Sequence, residues 1–510
     1  MAIETELKLR ITPERLARLR RHALFRTHQI TAPVTHRLHN IYYDTPKLEL
    51  HQRKMALRLR RVKGYWLQTL KGGGRVMAGL HQRFEWEVPV PSAKLDFSNL
   101  DTSVWDEHLP PAIREKLRPV FITDFYRTSR ELNWQGAIIE VCMDHGEIST
   151  DQHSTPVCEV ELELKSGEPR QLFELAQALL EIVSFELETV SKAEHGFRLL
   201  AGYIAQPVKA ELPILAKTDS LTDGLQALIW ACLLHLQGNL HGAMESGATK
   251  NHDAEYLHQM RVALRRLRVV LRMTEKIRAD EELAALGVSL ARLGVELGRI
   301  REWDVFIAQT LQPMRAAIEG IVGQQSMQAL LEYSQMQRAE CYAALRGPVQ
   351  ARELQRLLLR FAIWMNGPYW RQAEQGAPQA CDFAEKRLHQ LYKRYARAGE
   401  APPDAPHLHA LRIHAKKLRY SAEFFSTLYD KHKARLYLAA LSDVQEFLGG
   451  INDIAVARRL LDEMPACLSG HAEVMVFIKG RLDADLSLKL KMLHKLIQHF
   501  NRQQVFWEKG

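Results

Sequence analysis

Strict alternation of polar and apolar residues marks the first part of the chain. In MAIETELKLR, Glu4, Glu6 and Lys8 alternate with Ile3, Thr5, Leu7 and Leu9, and the same period recurs in MALRLRRV, RFEWEVPV and CEVELELK. A period of two sends successive side chains to opposite faces of a strand, so these segments predict strands with a charged row backed by an apolar row. Hairpin turns are expected at Lys63-Gly64 and Gln135-Gly136, and one helix at about 169–184, in EPRQLFELAQALLEIV. From about residue 220 the period changes to 3.6, and long Leu/Ala/Arg segments predict helices to the end, broken at APPDAP and near GAPQACD. Between the two parts, QPVKAELPILAKTDSL has two prolines and no strong period. It reads as a linker over 204–219, with Asp219, Ser220 or Thr222 capping the first helix beyond it.

The helical part repeats itself. YLHQMRVALRRLR and HLHALRIHAKKLRY share a pattern in which His258, Arg261, Arg265, Arg266 and Arg268 correspond to His409, Arg412, Lys416, Lys417 and Arg419, an offset of 151 residues. LGRIREWDV and LGGINDIAV match at the same offset, so a duplication over about 220–366 and 379–505 is expected. At 100° per residue, His258, Arg261, Arg265 and Arg268 fall within roughly an 80° arc, as do their counterparts. A solvated face is the ordinary meaning of one basic helix. Two duplicated ones predict a shared groove for a linear polyanion, with Asp304 and Asp453 as partners that orient the cations.

Composition narrows the picture. At 510 residues the chain is too long for one ordinary core, and its net charge of +9 points to an anionic partner: nucleic acid, a membrane surface or a phosphorylated molecule. The six cysteines, Cys142, Cys158, Cys232, Cys341, Cys381 and Cys467, form no C-x-x-C pair, which argues against a cysteine zinc site and fits a reducing compartment. No signal peptide is evident and the run LQALIWACLL is too short to span a bilayer, so a cytoplasmic protein without membrane contact is expected.

The charged rows carry the candidate chemistry. Any one of them is ordinarily the wet face of an open sheet. If the strands close into a barrel, the rows converge on one lumen. Glu4, Glu6, Glu159 and Glu161 would then stand beside Lys8, Arg58 and Arg60, at a heavy desolvation cost if nothing fills the space. Grouped carboxylates suit a hard cation such as Mg²⁺ or Mn²⁺, and guanidinium groups suit phosphate oxygens.

The E-x-E-x-K start, with L-R-L-R, R-x-E-x-E and E-V-E-L-E following in order, resembles the CYTH superfamily of triphosphate tunnel metalloenzymes over about residues 1–203. The duplicated part, over 220–510, resembles the CHAD domain, a helical module with characteristic histidines. The resemblance implies an α+β multidomain chain: an eight-stranded antiparallel β-barrel tunnel, then an all-α duplicated helical bundle. It implies metal ligation by Glu4, Glu6, Glu159 and Glu161, with Asp144 as a further ligand, and phosphate binding by Lys8, Arg58, Arg60, Lys71, Arg127 and Lys192. Arg83, Glu85, Glu87 and Glu163 would line the same tunnel. Relatives often carry Lys-x-Arg where this chain has Phe125-Tyr126-Arg127, which leaves the water-activating base unassigned.

The implied activity is metal-dependent hydrolysis of inorganic tripolyphosphate to pyrophosphate and phosphate by an inorganic triphosphatase. A hydrolase or cyclase acting on a nucleoside or thiamine triphosphate, or a non-catalytic polyphosphate-binding protein, stands as the alternative. Long-chain polyphosphate is the expected partner of the helical face, at His258, Arg261, Arg265, Arg266, Arg268, His409, Arg412, Lys416, Lys417 and Arg419. Nucleic acid fits less well, because no aromatic stacking platform accompanies the charge. LKGGGR at 70–75 lacks P-loop spacing and is expected to turn between strands.

Overall fold

The computed structural model describes residues 2–98, 108–245, 254–318, 324–372, 378–401, 403–465 and 471–508. Cys467, and Gly376, Ala377 and Pro402 of the expected breaks, lie outside the described residues. Two compact units form: one holds 1–206 and 351–367, the other 207–350 and 368–510.

The first unit is an antiparallel barrel. Its strands are β1 (Ala2–Arg10), β2 (Val34–Asp44), β3 (Met55–Val62), β4 (Tyr65–Met77), β5 (Leu80–Val90), β6 (Arg118–Trp134), β7 (Ala137–Ser149) and β8 (Ser154–Ser166). They run in the order β5-β4-β3-β2-β6-β7-β8-β1, and pairing of β1 with β5 closes the sheet into eight strands. A two-residue β9 (Glu186–Leu187) adds to β1 outside the ring. The apolar rows pack away from the lumen: Leu7, Leu9, Leu57, Leu59, Val160 and Leu162 are all buried. The helix Pro169–Ile182 covers β1 and β8 with Leu172, Phe173, Leu175, Ala176, Leu179 and Leu180.

Both hairpins form where expected. Lys63 and Gly64, and Gln135 and Gly136, take positive φ, the conformation that a two-residue turn matched to the strand twist requires. The expectation of a turn at LKGGGR is corrected. β4 runs through it as a bulge, with the register shifting between Gly72 and Arg75, and the turn follows at Ala78-Gly79. Glycine makes the bulge feasible: Gly74 has φ +82°, and a Cβ there would stand 1.8 Å from the Gln82 carbonyl oxygen.

The second unit is helical and shows the duplication directly. The helices Ala254–Thr274 and Ala405–Phe425 are displaced by 151 residues at both ends. Glu281–Val305 corresponds to Lys431–Asp462, and Gln324–Arg346 to Ala472–Asn501. One core joins the copies, with Phe306, Leu311, Met327 and Leu330 packed with Ile454, Leu461, Val474 and Ile478. Of the three cap candidates, Ser220 fills the role: its hydroxyl accepts from the Asp223 N–H at 3.1 Å. Among the described residues no helix is long and apolar enough to cross a membrane.

The segment Ala351–Gly367 departs from the simple order. It lies within the helical part of the sequence yet packs in the barrel's unit. There the Leu187 N–H donates to Gln355 Oε1 at 3.0 Å, and Arg352 and Arg356 meet Glu181 at 3.0 and 2.8 Å.

Candidate functional site

Register explains how the lumen is assembled. Closing the sheet sets Glu4 opposite Arg83, Lys8 opposite Glu161, Lys71 opposite Glu85, and Arg127 opposite Asp144, which in turn faces Glu159. Each pair is a direct cross-strand neighbour, so opposite charges meet without help from loops, save Asp144 and Glu159, which bring two carboxylates together. Glu4, Lys8, Lys71, Arg83, Glu85, Arg127 and Glu161 line a cavity of about 400 Å³, together with Glu6, Arg58, Arg60, Glu87, Glu163 and Lys192. All the tunnel residues expected from sequence therefore line the cavity, save Asp144 and Glu159, which sit behind it among the same charges.

Carboxylate oxygens of Asp144, Glu159 and Glu161 lie within 4.8 Å of one another, and all three residues are buried. Glu6 feels the charge of Glu161, whereas Glu4 stands with Lys71 at 2.5 Å, and Lys71 reaches on to Glu85 at 3.2 Å. Cations hold the acidic group. Arg127 forks onto Asp144 at 2.8 and 2.6 Å and also meets Glu161. Lys192, at the start of the helix Lys192–Leu200, contacts Asp144 at 2.6 Å, Glu161 at 3.0 Å and Glu159. Lys8 contacts Glu6 at 3.0 Å and Glu161.

Burial alone would raise every one of these carboxyls, so the neighbours decide each outcome. Glu161 overcomes burial through Lys192, Lys8 and Arg127, and is held well below the usual carboxylate range. Glu159 does not: burial pushes it up to about 7 against Lys192 and Lys8, with Glu161 and Asp144 adding repulsion. Within this group Asp144 and Glu161 are stabilised as carboxylates by the surrounding cations, and Glu159 alone is held up by burial. An all-oxygen, buried, anionic donor set fits a hard divalent cation.

The basic wall differs. Arg60 is lowered to about 10 by burial and by its neighbours Arg58 and Arg127, and it donates to Asn40 Oδ1 at 2.8 Å. Arg58 Nε and Nη2 are buried with no hydrogen-bond acceptor in the protein. Glu85 Oε1 stands 3.7 Å from Nη2, too far for a hydrogen bond, and buried donors left without one are costly unless a ligand accepts from them.

Sequence reasoning passed over Glu140, Cys142, Lys165 and Tyr42, which also line the cavity. The signal was present: Glu140 and Cys142 share parity with Asp144 on β7, and Lys165 shares it with Glu161 and Glu163 on β8.

In the helical unit, the two basic faces meet. Lys416 feels Arg265, Arg412 and Arg261, and Arg261 feels Arg265, Arg301 and Arg412, so cations from both copies stand close together. His258 stands beside Arg301, Arg265 and Arg261, while His409 is exposed. Asp453 attracts Arg412 and Lys416 as expected. Asp304 does not serve the groove; it accepts from Arg338 Nε at 2.5 Å and from the Tyr342 hydroxyl at 3.2 Å. Arg266 and Arg419 share the single carboxylate of Glu423, at 2.6 and 2.9 Å, and so are partly compensated.

A family model described as the CYTH domain matches residues 2–197, and one described as the CHAD domain matches 227–462. An inorganic triphosphatase of Haemophilus influenzae is 34% identical over 200 residues, 39% of this chain. The chain spans 55% of that relative's length. The CHAD domain of the plant Ricinus communis superposes with a TM-score of 0.50 and 30% identity, covering 59% of this chain and 98% of that one. The chain thus belongs to the CYTH family over residues 2–197 and to the CHAD family over residues 227–462.

Proposed function

We propose that the barrel hydrolyses inorganic tripolyphosphate to pyrophosphate and phosphate in a metal-dependent reaction, and that the helical groove binds long-chain polyphosphate. The observation that carries the first part is the lumen itself: a barrel cavity lined by Lys8, Arg58, Arg60, Lys71, Arg83 and Arg127, with the buried acidic group of Asp144, Glu159 and Glu161 in contact with Lys8 and Arg127. The likeness to an inorganic triphosphatase supports the same reading.

In this reading Arg58 and Arg60 bind phosphate oxygens, and Arg58 gains the acceptors it lacks within the protein. Lys71, Arg83, Arg127 and Lys192 neutralise the chain's charge, which otherwise repels the attacking water. Glu4, Glu6, Asp144, Glu159 and Glu161 would hold Mg²⁺ or Mn²⁺, which supplies Lewis-acid polarisation of the phosphate and a more acidic bound water. Water adds to the terminal phosphorus, the bridging P–O bond breaks, and pyrophosphate leaves. Phe125 is fully buried beside Lys192, where it narrows the lumen.

A phosphate-release screen over tripolyphosphate, nucleoside triphosphates and thiamine triphosphate, with and without Mg²⁺ or Mn²⁺, tests this. Fastest turnover of tripolyphosphate that stops on chelation is expected. Preference for a nucleotide, or turnover indifferent to metal, overturns the assignment.

A further inference from the structure

The duplication provides two equivalent places along the basic helices, and the chain treats them oppositely. In the first place stand Leu236, Ala243, Arg266, Glu423 and Thr427. Leu236 and Ala243 are buried apolar residues, and Glu423 pairs with Arg266 at 2.6 Å. Shifted by 151 residues, the second place holds Arg387, Arg394, Lys417, Arg272 and Lys276. An arginine occupies the position of that glutamate, and three further cations replace neutral residues.

These residues converge. Arg387 and Arg394 are seven apart on the helix Ala380–Gly399 and so share a face. That helix packs on Ala405–Phe425, which carries Lys417 and in turn packs on Ala254–Thr274, which carries Arg272. Burial and cations alone bear on them: Lys417 feels Arg272, Arg394 and Arg387, and Lys276 feels Arg387 and Arg394, each lowered from its usual range. Arg387 is only 9% exposed, and its Nε and Nη1 are shut off from solvent with no acceptor, leaving Nη2 to reach the surface. An unpaired, nearly buried guanidinium within a ring of like charges is strongly unfavourable unless an anion sits there.

Arg268 and Arg272 continue the helix face of Arg261 and Arg265, so the groove and this place lie along one helix. We propose that Lys276, Arg387, Arg394 and Lys417, with Arg272, form a second anion-binding patch that takes the same linear polyphosphate chain further along the helical domain. The inference rests on the polyphosphate reading of the groove. It predicts that affinity grows with chain length, because phosphates held in the groove present the rest of the chain to the patch at high effective concentration.

The test uses the full-length protein in chelator, titrated with long-chain polyphosphate over a range of salt. Lys276→Glu with Arg394→Glu alters two exposed side chains, and should lower affinity about tenfold and reduce the salt slope by about one per lost contact. Arg387→Met should weaken binding while raising the thermal midpoint, an outcome that a merely structural arginine would not give. Wild-type affinity and slope in the double variant, while Arg265→Glu with Lys416→Glu still abolishes binding, overturns the patch and leaves the groove standing. A fall in the midpoint of Arg387→Met with affinity unchanged overturns it as well. Binding that survives Arg265→Glu with Lys416→Glu counts instead against the groove on which the proposal rests.

Discussion

In the barrel lumen, Lys8, Lys71, Lys165 and Lys192 each touch a carboxylate oxygen at 3.0 Å or closer. In the helical groove, Arg261, Arg412 and Lys416 feel chiefly one another and Arg265, with Asp453 and Glu302 as the acids opposing them. Both regions are rich in cations, yet one is internally compensated and the other is not. A compensated lumen discriminates by geometry, since an anion must fit among ion pairs already made and requires further positive charge to bind well. An uncompensated groove holds repulsion that any suitable polyanion relieves, so it should bind without metal and with strong salt dependence.

The contrast is broken most sharply at the lumen's acidic wall. Glu6→Gln keeps the side chain's size and removes its charge, so metal-dependent phosphate release should fall on the order of a hundredfold or more. Wild-type turnover in that variant would remove Glu6 from the machinery. In the groove, Arg265→Glu with Lys416→Glu should weaken long-chain polyphosphate binding by about a hundredfold while leaving tripolyphosphate hydrolysis intact. Equal competition by duplex DNA of matched charge would reduce the groove to a general basic surface.

Stability should respond with opposite signs. Glu161→Met strands Lys8, Arg127 and Lys192 beside a smaller acidic group, at a cost of roughly 3 kcal/mol. Lys416→Met removes the cost of placing that amine among Arg261, Arg265 and Arg412 and should raise the thermal midpoint. Denaturation of the two variants against wild type checks both, and a shared sign would undo the distinction between the regions.

The smallest effect is protonic. Lys416 is lowered to about 6 by burial and by Arg265, Arg412 and Arg261, against a partial pull from Asp453. Between that value and the ordinary 10.5 the unfolded chain holds a proton that the folded one lacks. This residue therefore makes stability rise with pH across that window, and the gain is lost as pH falls towards 6. A bound polyanion favours the charged form, so binding near neutral pH should take up a proton. Calorimetry in buffers of different ionisation enthalpy reads that uptake, and Lys416→Met should remove it.

Much of this was legible in the chain. The alternation in ETELKLR and EVELEL reported strands with a charged face, because a strand's period of two is fixed by its backbone. A shift of 151 residues reported the duplicated helices, and Ala254–Thr274 and Ala405–Phe425 match at both ends, because two copies of one sequence fold into the same element. Other features were not legible. Whether Arg266 and Arg419 are free cations turns on Glu423, a residue outside the repeated motif. Asp304 lies in the same repeated element as Asp453, but the offset of 151 pairs Asp453 with Glu302 and Asp304 with Ala455; Arg338 and Tyr342 hold Asp304, and neither contact follows from the repeat. The segment Ala351–Gly367 joins the barrel's unit through Gln355 and Arg356, which local periodicity does not reveal.

The sequence by itself determined which faces carry charge, two of the hairpin turns and that the helical part is doubled, since each of these follows from local backbone geometry and spacing. Only the tertiary structure decided that β1 pairs with β5 as well as β8, turning charged faces into a lumen. It also decided which charges there are cancelled and which are left open. Coulomb interactions and burial depend on distance in space, and neighbours in space such as Lys8 and Glu161 stand 153 positions apart along the chain.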